Sequence, residues 1–533
     1  MRGLSIVRLI AWTAGGAALL GAYWLTAGQY CNPDAFAYAE VAQRVLAGDK
    51  LYAEAWQDKP PFAIFFYIVP QLVAPRSAGA LQFWLGVWVL LQGAVAIVCA
   101  GPRATSLQRC VVVSLLALLP LSSNDFIWAS TVNTANLPVV VMLFVSYRLM
   151  KHGAISLGVI GCVGICWTLA FNVRQNTVLF GIVPLTAILL SHVERRQTAL
   201  RLAGLAGGVA AGWLVVLCVV LGTSSWPDYF DTVFLYPRRY ATISDVGNGV
   251  APVTALLTSL LKAPVGIMGA TFAALSLAED WRKTWKLKLL LLGTIFIGML
   301  LCVLPLKPYP HYWASLIPVV ALLAFDYAGS ASGAQSSLLK TVTGSTRHPE
   351  NSVELTDREA PAPVLQQANR RQPALVSATL CGLLVAFAAI NCADAQQSSK
   401  NASLNEVAAA VNRATTPADT IYILSSDGAY LCYFTTARPA HRVSCCFQLN
   451  PYWSKILPEN IRDVLAEYES HPPTILVAQV DVLTDKGRGS NMVDLANRLM
   501  KRYDYVLVDT VNGHWIFKLK GAGLLPDSDE TSV

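Results

Sequence analysis

The residues Asn32-Pro33-Asp34-Ala35-Phe36-Ala37-Tyr38-Ala39-Glu40-Val41 run on through Leu46-Ala47-Gly48-Asp49-Lys50-Leu51-Tyr52 to Asp58-Lys59-Pro60-Pro61, between apolar runs at 4–25 and 79–100. The stretch reads as a capped helix. Asn32 suits the N-cap, Pro33 the first helical position, where a missing N–H costs nothing, and Gly48 the left-handed residue after the last turn. On such a helix Ala35, Tyr38, Ala42, Val45 and Leu46 share one face, with Glu40, Gln43 and Arg44 largely opposite, a pattern that can lie in a membrane surface. Asp34 falls in the first turn, where the backbone dipole favours the ionised carboxylate. Such a carboxylate can act as a base, or it can simply complement the dipole.

The rest of the chain sets this helix in a membrane. Of 533 residues 54% are hydrophobic and only 14% charged, against about 25% charged in soluble domains, and the mean hydropathy is +0.47. Spanning takes about 20 apolar residues, and runs of that kind lie near 4–25, 79–100, 109–127, 133–150, 153–171, 176–193, 202–222, 252–277, 287–306, 311–328 and 374–393. The expectation is a polytopic α-helical membrane protein of about eleven spans, which excludes a cytosolic enzyme and a coiled coil. The first run is read as an anchor, because it lacks a clear small-residue cleavage site and further spans follow.

Basic residues stay on the cytoplasmic side. Arg103 and Arg109, Arg148 and Lys151, Arg195, Arg196 and Arg201, and Arg282, Lys283, Lys286 and Lys288 mark alternate loops, and Arg2 and Arg8 place the amino end inside. The loops at 26–78, 123–132, 172–175, 223–251 and 307–310 then face outward. The net charge of +7 reports this topology and not nucleic-acid binding, since the cations sit in short loops and not on one soluble face.

Residues 1–328 are expected to form the membrane domain, with 26–78 as its first outer loop. Residues 329–373, rich in Ser, Gly, Pro and charge, read as a disordered cytoplasmic linker, 374–393 as a last span, and 394–533 as an extracytoplasmic α/β domain. There, helical patterns (Leu404–Arg413, Ile461–Tyr468, Met492–Arg502) alternate with β-branched runs (Ile421–Leu424, Thr474–Val477, Tyr505–Val508), and Asn512-Gly513 suggests a closing hairpin. The twelve cysteines include no CxxC pair, so a metal cluster is not expected. Cys432, Cys445 and Cys446 allow one disulfide if the tail is in an oxidising compartment.

Other polar groups fall on outer ends of spans. Arg174-Gln175 sits at a junction where a charge needs a partner or a function: an anionic lipid phosphate would serve, and so would interfacial water around a snorkelling side chain. Arg238-Arg239-Tyr240 runs against the positive-inside trend, which a phosphate substrate or anionic headgroups would explain. His311, in Lys307-Pro308-Tyr309-Pro310-His311-Tyr312, can meet phosphate or sugar, or be a hydrogen-bonded structural histidine. Asp125 is a reserve carboxylate or a loop cap. Glu40, a second reserve, points away from Asp34 along the helix.

The order Asp34, Tyr38-Ala39-Glu40, Gly48-Asp49, Lys59-Pro60-Pro61 before an apolar helix resembles the first periplasmic loop of GT-C glycosyltransferases, in the bacterial branch related to protein mannosyltransferases and lipid A aminoarabinose transferase. The resemblance covers residues 1–330 in architecture, although only the first loop is specific. It implies that Asp34 is the catalytic carboxylate and that Lys59 lies near a donor phosphate. Arg174-Gln175 and Pro310-His311-Tyr312 match patterns at the corresponding places. One departure is that many members carry Asp-Glu where Asp34-Ala35 stands here.

The resemblance implies an enzyme of a bacterial inner membrane that moves a sugar from a polyprenyl-phosphate donor to an acceptor glycolipid, polysaccharide or protein on the outer face. Membrane lipids are partners and nucleic acid is not. No cofactor is required, and a divalent cation is allowed but not indicated. Two rivals share many of these features. A transporter or flippase would show internal repeats or paired broken helices, which are not evident, and a lipid-linked glycan ligase would place its large loop late.

Overall fold

The computed structural model describes residues 2–28, 33–122, 130–153, 155–191, 194–242, 264–277, 281–303, 310–344, 399–425, 427–442, 461–480 and 490–524. The amino-terminal part is helical: α1 (Arg2–Leu25), α2 (Pro33–Leu46), α3 (Pro61–Val73), α4 (Ala78–Ala100), α5 (Ser106–Leu118), α6 (Thr131–His152), α7 (Leu157–Val173), α8 (Ile182–Leu190), α9 (Arg195–Thr223), α10 (Trp226–Phe230), α11 (Tyr236–Thr242), α12 (Pro264–Leu277), α13 (Trp281–Val303) and α14 (Ile317–Gly344). Helices start where the sequence supplies a cap. The hydroxyls of Ser77, Ser130 and Ser156 accept the N–H of Ala80, Asn133 and Val159, and Thr105 with Gln108 forms a reciprocal capping box.

Among the described residues, five helical stretches are long and apolar enough to cross a membrane: Ala78–Ala100, Thr131–His152, Arg195–Thr223, Thr284–Cys302 and His311–Ser330. Three expected spans are shorter than the runs that suggested them, one of them 153–171, which becomes the 17-residue α7. In place of 109–127, α5 stops at Leu118 because Pro120 opens a 3-10 turn over Pro120–Ser122. In place of 176–193, a 3-10 stretch Gln175–Gly181 leads into the short α8. The expected span 252–277 is described only from Pro264 onward, and 374–393 lies outside the described residues. The linker boundary also moves, because α14 continues to Gly344. Ala, Gln, Leu and Lys in that extension propagate a helix already nucleated in the apolar run.

Helices α7 and α9 approach closely through glycine. A Cβ at Gly208 would lie 2.0 Å from the carbonyl oxygen of Gly161, and one at Gly164 would lie 2.3 Å from that of Leu205. Only glycine permits this approach, the small-residue packing typical of membrane helices. At the other end of the bundle from His311, α14 carries the buried Asp326, which pairs with the equally buried Lys288 of α13 at 3.3 Å. Asp326 also accepts from Tyr147 and Ser276, each at 2.8 Å, so one carboxylate ties α6, α12, α13 and α14 together.

The carboxyl-terminal part consists of α15 (Ser399–Ala414), β1 (Thr420–Leu424), α16 (Gly428–Phe434), β2 (Arg438–Pro439), α17 (Ile461–Ser470), β3 (Ile475–Gln479), α18 (Ser490–Arg502), β4 (Tyr503–Val511) and β5 (His514–Leu524). The sheet order is β2-β1-β3-β5-β4, with β1 parallel to β2 and β3, and β5 antiparallel to β3 and β4. The expected hairpin forms at Asn512-Gly513, both with positive φ (48° and 75°), as a two-residue hairpin turn of the primed kind demands. Helix α16 and strand β2, too short to show periodicity, were not expected.

Candidate active site

Helix α2 presents Asp34 in its first turn. Every side chain from Ala35 to Ala42 is buried, while Asp34 itself is half-buried. Asp34 thus stands at the less buried end of an otherwise buried helix. Burial on all faces corrects the expectation of a helix lying in the membrane surface. The face that carries Glu40 and Arg44 is covered by the carboxyl-terminal domain, which is remote in sequence and so invisible to a local pattern. Arg44 donates to Asp49 at 2.8 Å, to the His441 carbonyl at 3.3 Å and to the Glu54 carbonyl. Glu40 belongs to this group, 4.0 Å from Arg44. Asp49 also receives Arg438 at 2.6 Å.

Around Asp34 the geometry is different. Tyr38, one turn along the same helix, donates a hydrogen bond to the carboxylate, and Lys59 and Asp58 stand close enough to shift its titration. Burial raises the Asp34 pKa above its ordinary value; Lys59 and Tyr38 oppose the rise, and the like charge of Asp58 adds to it. A raised pKa makes the ionised form a stronger base. The Lys59 ammonium lies 2.5 Å from Asp58 and 5.9 Å over the Tyr38 ring. Burial works against its charge, but Asp58 and Asp34 outweigh that effect and hold its pKa above the usual lysine range. Burial, reinforced by Asp34, pushes the Tyr38 hydroxyl well up, so it remains a donor.

Lys59 is placed by the residues that follow it. Pro60 caps α3 with an extended backbone (φ −61°, ψ 159°), and a residue before proline is steered away from helical conformation. The lysine thus leaves the chain at a helix entrance beside Asp34. Arg174, also buried, is the residue after the last turn of α7, and its guanidinium sits 4.5 Å over the Tyr312 ring. His311 packs edge-on against Tyr312 at 4.6 Å and lies within electrostatic reach of Arg174 and Lys59. Tyr312 in turn feels Asp34, Asp58 and Lys59. Lys59, Arg174 and His311, far apart in the chain, therefore gather around Tyr312, which also feels Asp34.

The remaining expected residues are placed as follows. Gln175 opens the 3-10 stretch, and its side-chain nitrogen is buried with no hydrogen-bond partner among the described residues. Arg239 pairs with Asp231 at 2.5 Å, which gives it a counter-charge within the protein. Arg238 and Tyr240 belong to the same helix α11, and Tyr236 of that helix packs on Trp56 at 5.4 Å. Asp125 lies outside the described residues. Asp58, Tyr38, Tyr236 and Tyr312 were missed as site residues. Tyr38 was legible, being one turn from Asp34 on the same face; the others come together only through tertiary packing. Ala35, which stands where many members of the resembling family carry a second acid, is buried in the core, and the second carboxylate that acts on Asp34 is Asp58, from the loop. Among the described residues no group of three or more His, Cys, Asp or Glu side chains could hold a metal ion.

No protein-family model matches the sequence, and no curated protein matches it. Solved structures do. The chain superposes on the crystal structure of ArnT from Cupriavidus metallidurans, a lipid A aminoarabinose transferase, in the apo state with a TM-score of 0.62 and 14% identity, over 96% of this chain and 98% of that one. Against the same protein bound to undecaprenyl phosphate the TM-score is 0.59 at 14% identity, over 95% of this chain and 98% of that one. This chain thus shares the fold of ArnT, a largely helical bundle with several long apolar helices and a small carboxyl-terminal sheet, which is the fold class the resemblance of its first loop implies.

Proposed function

We propose that this chain is a membrane glycosyltransferase that moves a sugar from a polyprenyl-phosphate donor to an acceptor on the outer face of a bacterial inner membrane. The observation that carries this reading is that one carboxylate, Asp34, stands beside the cation Lys59, while a second cation, Arg174, lies on the Tyr312 ring that feels both. The likeness to ArnT bound to undecaprenyl phosphate supports the donor class. Asp34, Lys59 and Arg174 belong to the segments that the basic loops leave outside, which supports the outward orientation.

In this mechanism Asp34 accepts the proton of an acceptor hydroxyl as that oxygen attacks the anomeric carbon. The carbon–oxygen bond to the phosphate breaks on the opposite side, the lipid phosphate leaves with the electron pair, and the anomeric configuration inverts. The leaving phosphate needs no strong general acid, because cations aimed at it absorb the developing charge. Lys59 and Arg174 hold that charge, with His311 and the unpartnered Gln175 amide at its edge. Arg238, Arg239 and Tyr240 are assigned to donor binding as the cationic turn of an outward segment. The acceptor enters from outside. The chemistry as written needs no cofactor.

The test incubates purified wild type, Asp34→Asn and Asp125→Asn with membrane extracts containing labelled polyprenyl-phosphate sugars. Loss of a general base lowers transfer by about 10²- to 10⁴-fold, so Asp34→Asn should be nearly inactive and Asp125→Asn active. Equal transfer by Asp34→Asn and wild type, with loss in Asp125→Asn, assigns the base elsewhere. A topology reporter fused after Val533 should read as external, and a cytoplasmic signal overturns the orientation.

A further inference from the structure

Tyr52 holds a left-handed backbone with φ 68° although its bulky side chain is fully buried. Such a conformation persists only where the surroundings over-determine it, and it collects at functional sites. Three parts of the molecule fix it here. Within the loop, the Tyr52 N–H donates to the Ala55 carbonyl at 2.9 Å. From the end of α9, the Thr223 carbonyl accepts the Leu51 N–H at 2.8 Å and the Ser224 hydroxyl donates to the Leu51 carbonyl at 2.6 Å. From the carboxyl-terminal domain, Arg442 brackets the turn with both of its ends. Its guanidinium donates to the Tyr52 carbonyl at 2.8 Å, and its own carbonyl accepts the Trp56 N–H at 3.0 Å.

What this support holds in place is the Tyr52 hydroxyl, which donates to the Lys59 carbonyl at 2.8 Å. The bond matters because that carbonyl is hard to satisfy locally. Pro60 and Pro61 have no N–H to offer, and the Ala63 N–H goes to the Pro60 carbonyl at 3.0 Å. With Pro60 steering Lys59 away from helical conformation on one side and Tyr52 holding its carbonyl, the direction in which the lysine side chain leaves is set. A shift of about 1 Å in such a group is enough to cost a large factor in a site that works by positioning.

We propose that Tyr52 is a positioning residue for Lys59, and that Arg442, by holding Tyr52, makes the carboxyl-terminal domain a working part of the donor-phosphate site. The proposal rests on Lys59 being the phosphate ligand. Neither residue touches the donor; both act through the backbone that carries the lysine.

The experiment titrates the purified full-length protein in detergent with undecaprenyl phosphate, followed by tryptophan fluorescence, for wild type, Lys59→Ala, Tyr52→Phe, Arg442→Met and Arg442→Lys. Donor KM, kcat and thermal midpoint are measured alongside. Tyr52→Phe removes one oxygen and one hydrogen bond, so lipid binding should weaken by about 3- to 10-fold, with donor KM raised to match, kcat lowered because the same lysine meets the charge that develops on the leaving phosphate, and the midpoint lowered modestly because the Lys59 carbonyl loses its partner. Arg442→Met should do the same, and Arg442→Lys, which keeps one donor for the Tyr52 carbonyl, should recover part of the loss. If Lys59→Ala loses the lipid while Tyr52→Phe and Arg442→Met bind it as wild type does, this inference is wrong and the reading of Lys59 stands. If the variants lower midpoint and kcat but leave donor KM alone, the contacts are scaffold only and the inference is again overturned. A wild type that does not take up the lipid, or a Lys59→Ala that binds it fully, overturns the reading of Lys59 and this inference with it.

Discussion

Phe36, two residues after Asp34, stacks on Tyr433 of α16 with ring centroids 5.1 Å apart and an interplanar angle of 29°. Tyr430 and Phe434 of the same helix close on Phe36 at 4.9 and 5.4 Å, and Tyr433 also accepts a hydrogen bond from Gln71 of α3 at 2.9 Å. The helix that carries Asp34 therefore shares one hydrophobic core with the carboxyl-terminal domain. Truncating a buried aromatic ring costs about 3–5 kcal/mol. Phe36→Ala is expected to lower the thermal midpoint of the purified protein clearly and to reduce transfer, whereas Phe36→Leu should retain much of both. A Phe36→Ala protein that melts with wild type means the two parts are not one cooperative unit.

Because Asp34 must be ionised to accept a proton and its pKa lies above the ordinary carboxylate value, transfer should fall on the acid side at a higher pH than an exposed aspartate would give. The direction of two variants follows. Tyr38 donates to the carboxylate and lowers its pKa, so Tyr38→Phe moves the acid limb of kcat/KM to higher pH. Asp58 raises it by like-charge repulsion, so Asp58→Asn moves the limb to lower pH. The pH–rate profiles of the three proteins decide the matter, and shifts in the same direction for both variants count against Asp34 as the titrating base.

Lys59→Ala removes the cation proposed to meet phosphate while leaving the Pro60-Pro61 entry to α3 intact. A charged hydrogen bond contributes about 1.5–3 kcal/mol, which predicts donor KM higher by about 10- to 150-fold. The thermal midpoint should move little, because the lysine head is a quarter exposed, at 25% for its side chain, and its partner Asp58 keeps access to water at 17%. Unchanged donor kinetics would remove Lys59 from the site.

What could be read from the sequence was what local chemistry dictates. Pro33 and Gly48 bound α2 because one needs no N–H and the other tolerates φ of 103°. Asn512-Gly513 gave the hairpin for a similar reason. Arg174 and His311 stood out because charge and imidazole at the ends of apolar runs are costly without a role. The rest depends on contacts between distant segments. Nothing near Phe36 announces Tyr433, and nothing near Asp34 announces Tyr312. Asp326 went unread although it interrupts an apolar run, since averaging hydropathy over about 20 residues dilutes a single charge.

Asp326 supports a prediction of its own. Its carboxylate and the Lys288 ammonium are 2% and 1% exposed, with Tyr147, Ser276 and, at 3.8 Å, Lys151 completing the cluster. Deleting one member of a buried pair leaves the other charged and desolvated, at a cost of about 3–5 kcal/mol. Asp326→Ala should therefore strongly lower the midpoint and the yield of folded protein. Replacing both charges with apolar residues of similar volume removes the stranded ion, and such swaps are often neutral or stabilising. The double variant Asp326→Leu with Lys288→Met should thus melt well above Asp326→Ala. Since the pair lies about 20 Å along α14 from His311, the double variant should also keep its donor KM. A double variant no more stable than Asp326→Ala would mean that the hydrogen bonds of Tyr147 and Ser276, and not the buried charge, hold these four helices together.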